Sequence, residues 1–276
     1  MLHGFAALDI HVSLPTDKIF FIGGLPITNS MILGMIGIIV MLATLGTAAW
    51  LVKNGIKNRF TGLVQWTFEG MYSTVFEIIP DKKMAKSIAP LALAIFFTVL
   101  FTYWAGVLPG VGSVQWDGKE LFRGLPTDLN FTFAIAIVTM VAVQFYAIKT
   151  HGFFGNTTRY LRNPLKDPIG AFEGFLELIG EFSRLVALAL RLFGNAFAGE
   201  VLLLIVAALS GYLASLSLPF FMIFELFIGF IQAYVFYMLT LIFAALATAS
   251  HGDHSPDHPT PNDAQSENGT RVAQKI

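Results

Sequence analysis

The sequence contains no cysteine and few charged residues. The absence of cysteine from its 276 residues excludes disulfides, thiolate catalysis and cysteine-ligated metal sites. Basic and acidic residues nearly balance, at 17 and 18, so the chain lacks the basic excess of a nucleic-acid-binding protein and we expect no nucleic-acid partner. Hydrophobic residues instead make up 55% of the chain, and charged residues 13%. This composition predicts an integral membrane protein in contact with lipid.

The first residues also lack the features of a targeting signal. They have neither the basic flank and small-residue cleavage pattern of a secretory signal peptide nor the arginine content of an organellar transit peptide. We therefore expect an unprocessed chain whose first membrane span directs insertion.

Long uncharged runs predict membrane-crossing helices. The windows 31–52, 87–107 and 130–148 are each about long enough to cross a hydrocarbon core of ~30 Å at 1.5 Å per residue. Pro90 is expected in the first turn of the second helix, where its missing N–H costs least. Segment 61–80 mixes apolar with acidic and amide side chains and predicts an interfacial helix.

The last two hydrophobic stretches are longer than ordinary spans. As helices, residues 167–209 and 219–249 would measure about 64 Å and about 46 Å. The turn between them is short, so they are expected to form a long, steeply tilted hairpin. The sequence therefore predicts an all-α integral membrane protein with about five membrane-crossing helices and one interfacial helix.

Three regions follow from this pattern. Residues 1–30 form an outer N-terminal segment, residues 31–250 a single transmembrane domain, and residues 251–276 a polar, disordered inner tail. Lysine and arginine are concentrated in the loops that would share one side of the membrane. By the positive-inside rule, the N-terminus is expected outside and the C-terminus in the cytoplasm.

Charged residues interrupt the first of the two long stretches at regular intervals. Glu177, Arg184 and Arg191 are seven residues apart, so they lie on one helical stripe that Asn195 extends, while Glu200 points to the opposite side. A charge at the bilayer centre costs roughly 2.5–3.5 kcal/mol and usually marks a transport function. This stripe predicts a proton or ion path, which makes residues 31–250 an ion-translocation domain.

Structural roles for the same residues remain open. Arg184 lies near a helix end, where an arginine often extends its charge to the membrane surface. Glu225 and Gln232 share a face of the last helix, and Glu200 and Glu225 could pair with Arg191 as a buried ion pair without transport. A solvated inner helix end would account for the acidic residues Glu173, Glu177 and Glu181.

Three segments resemble subunit a of the F-type ATP synthase. They are "LRLFGNAFAGE" at 190–200, "ELFIGFIQAYVFYMLT" at 225–240 and "PTDLNFTFAIA" at 126–136. The resemblance implies a non-catalytic stator subunit with two offset half-channels, which carry protons or sodium ions to and from carboxylates on a rotating ring of c subunits. It also implies peripheral-stalk b subunits and the rest of the complex as partners, ATP chemistry on other subunits, no cofactor, and a bacterial plasma membrane.

The resemblance also assigns roles to single residues. Arg191 matches the essential arginine, which attracts a ring carboxylate, favours its ionised form and blocks a leak between the half-channels. Gln232 matches the polar residue that faces this arginine. The outer half-channel would contain Asn195, Glu200, Glu225 and, at its mouth, Asp128, and the inner exit Glu177 and Arg184. Glu225 departs from some relatives, which carry a histidine at this place, so proton and sodium transport both remain possible.

Other functions fit the sequence less well. A secondary ion-coupled transporter would be expected to have two halves with matching hydropathy interruptions, which are not found. A structural membrane scaffold would not explain the charged stripe. The segment "GSVQWDGKE" has the wrong spacing for a phosphate-binding loop, and the histidines at 251, 254 and 258 lie in the polar tail, so no metal site is expected.

Overall fold

A computed structural model describes residues 16–112, 114–116, 118–160 and 168–248. The predicted inner tail and most of the predicted outer N-terminal segment lie outside these residues. Six α-helices account for most of the described chain: α1 Asn29–Lys53, α2 Arg59–Ile78, α3 Lys82–Val107, α4 Leu129–Tyr160, α5 Pro168–Ser210 and α6 Ala214–Thr248. The loops contain two short antiparallel pairs of strands: β1 Lys18–Ile22 with β2 Leu25–Thr28, and β3 Gln115–Trp116 with β4 Lys119–Glu120.

The predicted all-α membrane fold is confirmed. Four segments are long and apolar enough to cross a membrane: α1, α3, residues Leu129–Thr150 of α4, and Pro168–Thr248, which contains both α5 and α6. The helix predicted to be interfacial is α2, and it is not among these spans. At the kink in α4, Gly152 has φ 76°, a conformation that other residues adopt only with strain.

Polar side chains cap the first three helices. Thr28 and Asn58 cap α1 and α2, and Asn58 forms a capping box with Thr61. The Asp81 side chain accepts a hydrogen bond from the backbone N–H of Lys83 at 2.9 Å, so α3 begins at Lys82 rather than at residue 87. Pro90 consequently lies inside α3, and its predicted position in the first turn was wrong.

The C-terminal hairpin predicted from the sequence is present, with a tighter turn than expected. Only Gly211–Leu213 separates α5 from α6, and Gly211 has φ 50°. Pro219, expected to open the last helix, lies inside α6. The core forms where α3, α4, α5 and α6 pack together around buried aromatic and small side chains, such as Phe96, Tyr237 and Ala89.

Loops cover one end of the helix bundle. This end, here called the cap end, carries the β1–β2 hairpin, the loop of residues 108–128 between α3 and α4, and the α5–α6 turn. Asn29, at the start of α1, donates a side-chain hydrogen bond to the carbonyl oxygen of Glu120 at 3.3 Å, which joins the first helix to the loop. The opposite end, where α2 meets α3 and α5 begins, is called the far end.

Candidate functional site

A cavity of about 520 Å³ lies at the cap end. Its walls come from the end of α3, the loop of residues 108–126, and the facing parts of α5 and α6. The wall is mostly apolar, and five ionisable side chains interrupt it: Tyr103, Glu120, Arg123, Glu200 and Glu225. A mainly apolar cavity with a few convergent polar groups is a usual form of a binding or transport site.

Glu200 forms an ion pair with Arg123. The Arg123 Nε atom lies 3.3 Å from Glu200 Oε1 and donates a hydrogen bond to Oε2 at 3.4 Å. Arg123 is only 4% exposed, although it lies in a loop. No spacing along the sequence pairs Arg123 with Glu200, because only the fold brings the loop to α5.

Close packing of the loop positions Arg123. A Cβ atom on Gly106 of α3 would lie 2.8 Å from the Cα of Gly124, so the loop backbone lies directly against the helix. The side chain of Leu125 fills the space where Gly34 of α1 has no side chain. Gly124 and Leu125, which follow Arg123, are therefore packed against α3 and α1. This packing directs the side chain of Arg123 towards α5.

Glu225 has a different partner. The hydroxyl of Tyr103 on α3 donates a hydrogen bond to Glu225 Oε1 at 2.6 Å, and Glu225 is 2% exposed. Its carboxyl group packs against Gly199, where a Cβ atom would overlap it, and the ring of Tyr103 packs against Gly229 in the same way. Two glycines thus make room for the Tyr103–Glu225 pair between α3, α5 and α6.

Glu120 adds a third carboxyl group to the cavity. Burial in the loop raises the pKa of Glu120, and the negative charges of Glu200 and Asp17 raise it further, while the positive charge of Arg123 opposes them. Glu200 and Asp17 are therefore close enough to Glu120 for their negative charges to act on it. Neither Glu120 nor Tyr103 was singled out from the sequence, since a lone glutamate in a loop and a tyrosine in an apolar helix carry no local signal.

Asp128 lies beside the cavity rather than in its wall. Its side chain accepts hydrogen bonds from the hydroxyl of Ser30 at 2.8 Å and from the backbone N–H of Asn130 at 2.9 Å. Its carbonyl oxygen accepts from the backbone N–H of Thr132 at the start of α4. These contacts join α1, the loop and α4.

Arg191 lies on an exposed stripe of α5, one turn from Asn195. Both side chains are exposed, and so are their small neighbours on the same face, Ala187, Gly194 and Ala198. Asn195 donates a hydrogen bond to Gln232 Oε1 on α6 at 2.6 Å, and the Gln232 nitrogen has no partner among the described residues. Within the same residues, no hydrogen bond or ion pair joins Arg191 to Glu200 or Glu225.

A second polar cluster lies nearer the far end. Gln144 of α4 donates a hydrogen bond to Glu181 Oε2 at 2.5 Å, and the Glu181 side chain is 12% exposed. An Arg184 nitrogen lies 3.9 Å from Glu181 Oε1, and the guanidinium lies over the ring of Phe243, 5.6 Å from its centre. Glu177 is half-buried one turn away. In the sequence a solvated helix end was one alternative for Glu181, and Gln144 was not among the candidate site residues.

An apolar layer separates the two clusters. Glu181 and Glu200 are about 28 Å apart along α5 at 1.5 Å per residue. Between them the buried face of α5 carries only apolar side chains, namely Leu188, Ala189, Leu192 and Ala196. The polar side chains of α5 at this depth, Arg191 and Asn195, lie on its exposed face. Along the described part of α5, the buried face therefore offers no polar connection between the cap-end cavity and the far-end cluster.

Comparison with known proteins adds an independent finding. A family model described as "ATP synthase A chain" matches residues 30–245. The chain is 32% identical to ATP synthase subunit a 2 of Vibrio campbellii over 234 residues, which are 81% of this chain and 89% of the relative. It is 30% identical to ATP synthase subunit a of Desulforamulus reducens over 249 residues, 86% of each protein. A similar protein of Photobacterium profundum, ATP synthase subunit a 2, is 32% identical over 222 residues.

Proposed function

Because the chain belongs to the ATP synthase A chain family, we propose that it is the membrane stator subunit of a rotary ATP synthase. In this role it carries protons or sodium ions to and from carboxylates on a ring of c subunits, and it catalyses no ATP chemistry itself. Its partners are the ring, the peripheral-stalk b subunits and the other subunits of the complex, in a bacterial plasma membrane. The cap end faces outward, since the loops of the far end carry most of the lysines and arginines.

The position of Arg191 is the observation that most supports this proposal. A guanidinium exposed at mid-depth on a membrane helix is costly unless another group compensates its charge. Its neighbours on the stripe are small, so a second helix can approach closely. A ring carboxylate that docks against this stripe would supply the missing negative charge.

The arrangement suggests two half-channels joined only through the ring. An ion entering at the cap end meets the carboxyl groups of the cavity, including Glu200 and Glu225, and passes by way of Asn195 to the ring. After rotation, an ion leaves by the far-end cluster, in which Glu177 and Arg184 are joined by Glu181. Because the apolar layer separates the two clusters, the ion cannot take a direct path along the buried face of α5.

In this mechanism Arg191 separates the two half-channels. Its positive charge attracts an approaching carboxylate and favours the ionised form, so the bound ion is released before the carboxylate passes. Arginine suits this task because it keeps its charge at any accessible pH and does not transfer protons. Each charge that crosses gains about 2.3 kcal/mol per 100 mV of membrane potential.

The experiment compares Arg191→Ala with the unaltered protein in vesicles that contain the assembled complex. We expect loss of ion-driven ATP synthesis, with proton leak retained or increased. Arg59→Ala, which removes an exposed arginine at the start of α2, is the matched control and should leave synthesis unchanged. Normal coupled synthesis in the Arg191 variant, with the complex assembled, would refute the stator mechanism proposed for this residue.

A further inference from the structure

The loop between α3 and α4 places a buried positive charge in the wall of the cap-end cavity. We infer that Arg123 is a positioning residue of the outer half-channel, which holds the Glu200 carboxylate at the cavity wall, where an ion that enters from the cap end meets it. The inference rests on the proposed function, because it assigns the cavity to the ion path. It goes beyond that function by giving a transport role to a loop residue that lies outside the three segments 126–136, 190–200 and 225–240.

Geometry is the first support for this inference. Glu200 lies at the edge of the cavity with its side chain 28% exposed, whereas its partner Arg123 is almost fully buried. The guanidinium is therefore the fixed member of the pair and the carboxylate the accessible one. Gly124 packs against Gly106, so the backbone next to the arginine cannot shift towards α3.

Electrostatics is the second support. The Arg123 Nε atom lies 3.3 Å from Glu200 Oε1, and a hydrogen bond between two charged groups is stronger than one between neutral groups. Removing one partner of such a pair leaves the charge of the other uncompensated. Without Arg123, the Glu200 carboxylate would therefore lose both its charge partner and its fixed position at the cavity wall.

Arg123 and Tyr103 act on different carboxyl groups of the cavity. Glu120 and Glu200 lie close enough for their charges to interact, while Tyr103 donates its hydrogen bond to Glu225. Arg123 therefore compensates the carboxyl groups on the loop side, and Tyr103 orients the one on α6. Because Oε1 of Glu225 accepts from Tyr103, a proton carried by Glu225 would be placed on Oε2. The carboxyl groups of Glu200 and Glu225 therefore have different partners and different fixed positions along the cavity.

The test measures ATP-driven proton pumping against pH in vesicles that contain the assembled complex, normalised to the amount of complex. For Arg123→Gln we expect pumping to fall about tenfold at neutral pH and its pH profile to change, because the Glu200 carboxylate is then neither held at the cavity wall nor paired with a positive charge. Arg123→Lys keeps the charge and should move the profile less. Lys119→Gln is the matched control, because Lys119 is an exposed residue of the same loop whose side chain donates to the carbonyl oxygen of Lys18.

A double variant separates positioning from mere structural pairing. If Glu200 carries protons, Arg123→Gln with Glu200→Gln pumps no better than Glu200→Gln alone. Pumping of the double variant at the unaltered level would overturn the inference, since the pair would then serve only to neutralise charge. An unchanged pH profile in Arg123→Gln would overturn it as well. If Arg123→Gln prevents assembly, the profile of Arg123→Lys decides, and a profile identical to that of the unaltered protein refutes the inference.

The outcome at Arg191 keeps the two proposals distinguishable. If Arg191→Ala abolishes coupling while Arg123→Gln pumps normally, the inference about Arg123 fails and the proposed function stands. If Arg191→Ala couples normally, the proposed function itself fails, whatever the result at Arg123.

Discussion

Replacing Gly199 by alanine should displace Glu225 and separate it from Tyr103. The carboxyl group that Gly199 contacts belongs to Glu225 of α6, so the missing side chain of Gly199 is a requirement of the packing between α5 and α6. A Cβ atom at this position would overlap the carboxyl group of Glu225, which is 2% exposed and has little room to withdraw. The carboxyl group must therefore rotate away, and its 2.6 Å hydrogen bond with Tyr103 is lost.

The expected energetic cost follows from three contributions. Overpacking a closely packed site costs about 1–3 kcal/mol. Loss of the hydrogen bond adds about 0.5–1.5 kcal/mol. Alanine is the better helix former and returns about 0.8–1 kcal/mol. The free energy of unfolding should therefore fall by about 0.5–3.7 kcal/mol. Pumping should fall as well, because the displaced carboxyl group no longer faces the cavity.

Thermal dissociation of the assembled complex and ATP-driven proton pumping in vesicles measure the two effects. Gly180→Ala is the control on the same helix, because no neighbouring atom lies within 4 Å of its added Cβ atom. This control should be as stable as the unaltered protein or slightly more stable. Glu225→Asp, combined with Gly199→Ala, shortens the displaced side chain and should recover part of the lost stability. If Gly199→Ala matches Gly180→Ala in both assays, the steric reasoning is refuted.

Three further predictions concern the cavity and the stripe. Tyr103→Phe removes the donor to Glu225 and should lower pumping severalfold while the complex still assembles; pumping equal to the unaltered level would contradict a positioning role for the hydroxyl. Gly194→Leu adds a large side chain where this chain leaves open space, so we expect nearly unchanged folding but loss of ring binding in co-purification; retained ring binding would place the contact elsewhere. Because the pKa of Glu120 is raised in the folded state, the folded protein keeps the proton of this carboxyl group to higher pH than the unfolded chain. The folded state therefore loses stability as pH rises from the ordinary glutamate pKa to the raised one. Glu120→Gln should therefore make the thermal midpoint fall less with rising pH, and an unchanged slope would contradict the assignment.

Regular patterns along the chain were enough to predict most of the fold. Uncharged runs located the membrane helices, because lipid admits few charges and requires every backbone group to be bonded within a helix. The seven-residue spacing placed Arg191 on a stripe with small residues, which the structure exposes. Helix starts were less predictable. The cap from Asp81 extends α3 beyond its uncharged run, since a single side-chain hydrogen bond can fix a helix start among charged residues.

The partners of the charged residues could not be predicted from such patterns. Glu200 pairs with a residue 77 positions away, and Glu181 with one 37 positions away. Several basic residues were equally available to Glu200 in sequence, and the choice of Arg123 depends on where Gly106 and Gly124 let the loop pack. Long-range pairing of this kind is decided by shape after the helices have assembled, and no spacing along one helix encodes it.

The separation of the two clusters gives a physical reason for the moving partner in the proposed function. An ion that reaches Glu200 meets the buried apolar side chains of Leu188 and Leu192 along the inner face of α5. Crossing that layer as a bare charge would cost several kcal/mol, which exceeds what about 100 mV of potential supplies per charge. A carboxyl group brought to the stripe can carry the ion in neutral form past the same depth. In the proposed mechanism Arg191 would have two effects: it would attract the emptied carboxylate to the interface, and it would repel a cation that would otherwise cross without rotation.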